Sequence, residues 1–151
     1  MSTRPHRTWT PPYGMRMALE LQIPSDVRYI ERIVGLVMRQ CEELDFPRQK
    51  CALNVPVALS EALSNAILRG NREDPRKQVH VRSAIDGDTL VVEIADEGAG
   101  FDMVKAMRRD PTAPENLSRE DGRGLFLMHH LMDRVEHFSN PWNVVRLTLH
   151  R

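Results

Sequence analysis

Cysteine is scarce in this chain of 151 residues, which has only Cys41 and Cys51. No Cys-x-x-Cys pattern and no histidine pair at zinc spacing accompanies them, so neither a disulfide framework nor a structural zinc site organises the fold. One Cys41–Cys51 bridge is open on count alone; the expectation is a pair of buried free thiols in a reducing cytoplasm. An excess of either charge is also missing. The 21 basic and 21 acidic residues cancel, giving no global field for direct nucleic-acid binding or for an anionic membrane. A pI near 7.0 leaves little colloidal repulsion in the absence of a partner. No apolar run approaches the length of a membrane span. Arg4, His6 and Arg7 near the start are not followed by the apolar stretch of a secretory signal. With Pro5, Pro11 and Pro12 nearby, residues 1–14 read as a flexible tail, and 15–151 as one domain long enough to bury a core.

What is present is periodic. Leu19, Leu21 and Ile23 alternate as one face of a strand over Met17–Ile23. Pro24-Ser25-Asp26 then offers a cap, and Val27, Ile30, Val34, Val37, Met38 and Cys41 recur at helical spacing to about Leu44. After Asp45-Phe46-Pro47, a second helix is predicted from Asn54 with Pro56 in its first turn, where a missing N–H costs little. An earlier start near Arg48 would place Pro56 in the interior and kink the helix. Gly70-Asn71 supplies a left-handed C-cap. Val79, Val81 and Ile85 pair with Leu90, Val92 and Ile94 across Asp86-Gly87-Asp88 as a hairpin. Arg134–Ser139 and Asn143–His150 form a second strand pair around Asn140-Pro141-Trp142. Strands with one apolar face call for helices on one side of the sheet. The fold class is therefore α+β: a two-layer α/β sandwich with a mostly antiparallel sheet. Phe101–Asp121 remains, with a short helix allowed at Met103–Arg109 and the rest irregular; a loop of this length suits a mobile lid.

Three segments carry chemistry. Glu61 and Asn65 are one helical turn apart, so both side chains leave one face of the second helix. An amide oxygen can take one position on Mg²⁺, which keeps several waters and phosphate oxygens. A carboxylate beside it can accept a proton from a hydroxyl attacking a terminal phosphate. The same pair also fits a plain polar stripe on an amphipathic helix. Asp96 ends the strand Val91–Ala95 and precedes Gly98 and Gly100. Its carboxylate can accept from the exocyclic amine of adenine, whereas guanine would set acceptor against acceptor. An ordinary turn leaving a strand has the same composition. Gly122 and Gly124 precede an apolar helical pattern from Leu125 to Val135, where uncrowded N–H groups can bind phosphate. A simple loop-to-helix junction reads identically. Lys105, Arg119 and Arg123 are available as nearby positive charge. His129 and His130 point about 100° apart on a helix and read as structural or surface residues, not as a metal pair.

Taken in order, Ser60-Glu-Ala-Leu-Ser-Asn-Ala-Ile-Leu-Arg-Gly-Asn71, Asp96-Glu-Gly-Ala-Gly-Phe101 and Gly122-Arg-Gly-Leu-Phe-Leu-Met128 resemble the N box, the adenine box and the lid-end glycine box of the Bergerat-fold (GHKL) ATPases. The chain is most similar in plan to the small anti-sigma-factor serine/threonine-protein kinases of that family. The resemblance spans Met17–Arg151, a single GHKL ATP-binding domain. It implies Glu61 as general base, Asn65 as Mg²⁺ ligand, and Asn65, Arg69, Asp96, Gly98, Gly100, Phe101, Gly122, Arg123, Gly124, Leu125 and Asn143 around ATP. It implies a STAS-type anti-anti-sigma substrate protein, a sigma factor held in alternation by partner switching, and in some relatives a homodimer; it implies neither direct nucleic-acid contact nor a membrane. Three positions depart from the family. Glu120-Asp121 stands where relatives often carry Arg-Ser, Trp142-Asn143 replaces Gly-Thr, and Arg69 replaces a frequent His. These departures leave ATP binding as the expectation and open a second reading: an ATP-binding module that sequesters a sigma factor or response regulator with little phosphate transfer.

Overall fold

The computed structural model describes residues 11–12, 14–98, 120–139 and 142–151. Most of the expected tail, the segment 99–119 with Gly100, Phe101 and the short helix at Met103–Arg109, and the turn residues Asn140 and Pro141 lie outside them. The described strands are β1 (Arg16–Pro24), β2 (Gln78–Asp86), β3 (Thr89–Asp96), β4 (Arg134–Phe138) and β5 (Asn143–His150). They form one sheet in the order β1-β2-β3-β5-β4, antiparallel at every junction. Alternation sets which side chain faces where. Val81 lies opposite Leu21 and Ile94, and Leu147 opposite Val92 and Val135, all on one face.

Three helices supply the second layer: α1 (Ile30–Glu43), α2 (Lys50–Gly70) and α3 (Glu120–Leu131). Val37 and Cys41 of α1, Leu59, Leu63 and Ile67 of α2, and Leu125 and Met128 of α3 share one core with the sheet face of Val79, Val81, Leu90 and Leu149. Leu63 is fully buried there, and truncating such a residue to alanine costs about 2–5 kcal/mol. α2 is long and apolar enough to cross a membrane by length and composition, a match absent from the sequence expectation. Leu59, Leu63 and Ile67 are nevertheless buried in this core, while Leu53 and Leu68 are exposed. Both thiols are free and buried, and burial pushes Cys41 well above its ordinary value, with the adjoining Cys51 thiol acting in the same direction.

The opposite sheet face carries a row of alternating charge across all five strands. Glu20, Arg82, Glu93, Arg146 and Glu136 occupy successive cross-strand positions. Arg146 Nε donates to Glu93 Oε2 at 2.7 Å, Arg82 Nε stands 3.5 Å from Glu20 Oε1, and the Arg146 guanidinium lies over the Phe138 ring.

Local detail corrects the expected helix boundaries. Of the two cap candidates, Ser25 and Asp26, it is Asp26 that caps: its carboxylate accepts from Arg28 N–H and starts a short 3₁₀ turn, Val27–Tyr29, ahead of α1. The α-helical stretch does start at Val55, with Asn54 in the cap position and Pro56 in the first turn as expected, but helical backbone is already present by Lys50, so Pro56 lies inside the continuous α2. The residues before it, Lys50–Asn54, form a π-helical turn. The left-handed turn at the end of α2 falls at Arg72 (φ 52°) and Glu73 (φ 57°), while Asn71 has φ −86°. Gly70 and Asn71 are thus freed for other work. α3 begins at Glu120, so Gly122 and Gly124 lie within its opening turns instead of before it.

Candidate functional site

α2 is the spine of the site. Its second half changes from α-helix (Val55–Ser64) to π-helix (Asn65–Gly70) just beyond Glu61. A single turn of i→i+5 bonding is an energetically poorer arrangement that recurs at functional sites. Here that turn ends at Gly70, which packs against Asp96. Glu61 and Asn65 are both partly exposed.

Glu61 meets α3. A Cβ added to Gly124 would stand 2.5 Å from Glu61 Oε2, so the missing side chain is what lets the opening of α3 approach the carboxylate. Leu125 beside it is buried in the core, which fixes how α3 seats. Arg69 and Arg123 are both exposed.

Asp96 is gripped at the other end of α2. Only 8% exposed, its Oδ1 accepts from Gly98 N–H at 2.9 Å and from Asn143 Nδ2 at 3.0 Å. The same Asn143 amide donates to Gly98 O at 2.7 Å. This follows from register: Asn143 opens β5 directly across from Asp96, so the amide suggested by sequence is in contact with the carboxylate. Among the described residues, both bonds go to Oδ1 and none to Oδ2. Burial pushes the Asp96 carboxyl above its ordinary 3.8, and the Asn143 and Gly98 bonds oppose that rise, helped by His137 and Lys77.

Two glycines make this packing possible. A Cβ on Gly70 would stand 2.5 Å from Asp96 Oδ1, with Cγ and Oδ2 nearer still. A Cβ on Gly98 would collide with the Gly70 carbonyl and stand 2.8 Å from Gly70 Cα. The sequence reading gave Gly70 only a capping role and gave Asn71 none in the site. Asn71 is 1% exposed and bonds to Ser25, Gln78 and Glu97. The Gly-Asn dipeptide was visible, but its side-chain partners come from segments too distant in sequence to be read from it.

The two ends therefore sit on one helix, nine residues apart. Four α-helical and five π-helical steps separate the Glu61–Gly124 contact from the Gly70–Asp96 contact, a span on the order of 10 Å along the axis. That span suits an adenosine triphosphate extended from base to terminal phosphate. A carboxylate with one open oxygen beside two backbone-only positions fits a purine amine, and a carboxylate with an amide one turn away fits a metal-bound phosphate end. Among the described residues no group of three His, Cys, Asp or Glu side chains forms a metal cage. A Mg²⁺ here would thus draw most of its ligands from phosphate and water.

Comparison with known proteins agrees with this geometry. Residues 23–149 match the family described as histidine kinase-like ATPase domain. The chain is 31% identical over 135 residues to serine-protein kinase RsbW of Bacillus subtilis, covering 86% of this chain and 83% of that one. It is 27% identical over 131 residues to the protein of the same name from Oceanobacillus iheyensis, covering 84% and 82%. It is 31% identical over 98 residues to anti-sigma F factor of Anoxybacillus flavithermus, covering 64% and 67%. With most of its length matched and its carboxylate–glycine clusters set along one helix, the chain belongs to the histidine kinase-like ATPase domain family, in the group that includes the serine-protein kinase RsbW and the anti-sigma F factors.

Proposed function

We propose that this chain is an ATP-dependent serine/threonine-protein kinase of the anti-sigma type. It phosphorylates a small STAS-type anti-anti-sigma protein and, in alternation, holds a sigma factor, so that nucleotide state and competing partners decide which is bound. The observation that carries the reading is Asp96: a buried carboxylate whose Oδ1 accepts from Asn143 and Gly98 while Oδ2 accepts from none of the described residues. In this assignment Asp96 accepts from the adenine amine, and Gly70 and Gly98 keep the wall beside it free of side chains. The family resemblance assigns Gly100 and Phe101, which lie outside the described residues, and Arg69, next to Gly70, to the nucleotide as well, while Gly122, Arg123, Gly124 and the Leu125 backbone serve the phosphate end. Asn65 offers its amide oxygen to Mg²⁺, and Glu61 accepts the proton of the attacking serine or threonine hydroxyl. Magnesium, when bound, supplies neutralising charge on the phosphates. The protein works in the bacterial cytoplasm, without direct nucleic-acid or membrane contact, and a homodimer is compatible with its neutral surface.

One observation favours a weaker catalyst. α3 opens at Glu120, so two acidic residues occupy the helix start where phosphate would benefit from the positive end of the dipole. On that second reading the chain binds ATP and sequesters a sigma factor or response regulator with slow transfer. Incubation with labelled ATP, Mg²⁺ and small candidate partners, followed by mapping of phosphoserine, separates the two. A labelled partner supports the kinase; tight ATP and sigma-factor binding without label supports the sequestering module.

A further inference from the structure

Asn71 lies just past the last turn of α2, where an asparagine is ordinarily explained as a left-handed cap. That explanation fails here, because its φ is −86° and the left-handed residues are Arg72 and Glu73. Its carboxamide is instead buried with all three bonding directions used. Nδ2 donates to Ser25 Oγ at 3.0 Å and to Gln78 O at 3.0 Å, and Oδ1 accepts from Glu97 N–H at 2.8 Å. The orientation of the amide is settled by its partners, since the Glu97 N–H can only donate and the Gln78 carbonyl can only accept. The surrounding bonds close the network: Ser25 Oγ donates to Lys77 O at 2.6 Å, and Glu97 Oε2 accepts from Gln78 N–H at 2.7 Å. No other side chain meets these terms. Aspartate would turn two donors into acceptors facing a carbonyl, and glutamine would overreach.

The consequence lies in what Glu97 adjoins. Residues 96, 97 and 98 are each held by the pair 70–71: the Asp96 carboxylate packs on Gly70, Glu97 N–H is tied to Asn71, and Gly98 backs onto the Gly70 carbonyl. Asn71 touches no part of the open Asp96 oxygen, yet it fixes the peptide immediately after it. Resting on the adenine-site reading above, we infer that Asn71 is a positioning residue for base recognition: with Ser25 and Gln78 it ties the end of α2 to the turn after β3, and so sets where the Asp96 carboxylate presents to a purine amine.

The test is a double-mutant cycle read in nucleotide selectivity. ATP and GTP affinities are measured calorimetrically for the wild type, Asn71→Ala, Asp96→Ala and the double variant, with thermal midpoints recorded for each. If Asn71 acts through Asp96, Asn71→Ala reduces the ATP-over-GTP ratio by about tenfold, the worth of roughly one charge-assisted bond, and the double variant loses no more selectivity than Asp96→Ala alone. A lowered midpoint with the ratio unchanged, or additive losses in the double variant, overturns the inference and leaves Asn71 a structural residue. Should Asn71→Ala fail to fold, Ser25→Ala removes only the two Ser25 Oγ bonds, to Asn71 and to Lys77, and must still lower the ratio, by two- to threefold; no change there also overturns it. A wild type with no preference between ATP and GTP would instead refute the adenine reading itself.

Discussion

Replacing Gly70 by alanine tests the close approach at the base end of the site. In an ordinary helix this change is favourable by about 1 kcal/mol, because alanine loses less backbone freedom than glycine. At Gly70 the new methyl would stand 2.5 Å or less from the Asp96 carboxylate. Reaching ordinary contact near 3.5 Å requires the carboxylate to retreat by about 1 Å. It cannot do so freely, since Oδ1 is tied to Gly98 N–H and to Asn143 on β5. Overpacking of a fixed interior costs about 1–3 kcal/mol, which exceeds or cancels the helical gain, so net stability changes by about 0 to −2 kcal/mol. Binding suffers more. A displaced carboxylate forfeits a charge-assisted bond worth about 1.5–3 kcal/mol, so ATP affinity falls by at least about tenfold. Gly35, within α1 and with nothing near its missing Cβ, is the internal control: Gly35→Ala should raise stability by up to about 1 kcal/mol and leave ATP binding alone. Thermal unfolding and titration calorimetry read both quantities. A Gly70→Ala protein that is stabilised like Gly35→Ala and binds ATP like the wild type would refute the packing argument.

Three further outcomes are expected. Glu61→Gln abolishes phosphate transfer while ATP affinity stays within a few-fold, as befits a group used in the chemical step; collapse of binding in calorimetry would make Glu61 structural. Gly124→Ala crowds only the flexible end of Glu61, so the midpoint stays within a degree or two while transfer to a partner drops severalfold; unaltered turnover would separate Gly124 from the Glu61 carboxylate. Asp96→Asn relaxes the preference for ATP over GTP and also stabilises the protein at pH 7. Because the folded carboxyl titrates above 3.8, its contribution is favourable below that pH and is lost as pH rises through the raised folded value. The amide escapes this loss, so the gain of Asp96→Asn should vanish on acidification below 3.8. Denaturant melts across pH would contradict this if the gain persisted in acid.

The sheet was legible because alternation is read residue by residue: Leu19, Leu21 and Ile23, then Val79 to Ile94, lie where a period of two puts them. The β2–β3 and β4–β5 hairpins and the one-sided helices were legible from turns and a single apolar face, whereas the β1–β2 and β3–β5 junctions that complete the order span intervening elements and were not. Helix ends were less legible, since each depended on a competing demand. Pro56 argued for a later start, but a π turn precedes it inside α2. Gly70 and Asn71 resembled a cap, but contacts with Asp96 and Glu97 claim both. Asn143 could be suspected as a polar neighbour of the base, whereas its bond to Asp96 depends on strand register across 47 residues.

That register has a guardian on the far side of the sheet. Apolar rows alone tolerate sliding β5 along β3 by two residues, because valine, leucine and isoleucine are nearly interchangeable in such positions. The far-side row is not so forgiving: Glu93, 5% exposed, has Arg146 as its neighbour in only one alignment. Sliding would break the 2.7 Å bond from Arg146 and leave Glu93 with Arg82 of β2 as its one cross-strand cation. The same slide would carry Asn143 away from Asp96. An ion row remote from any nucleotide thus acts as the ratchet that keeps the base-reading pair in step.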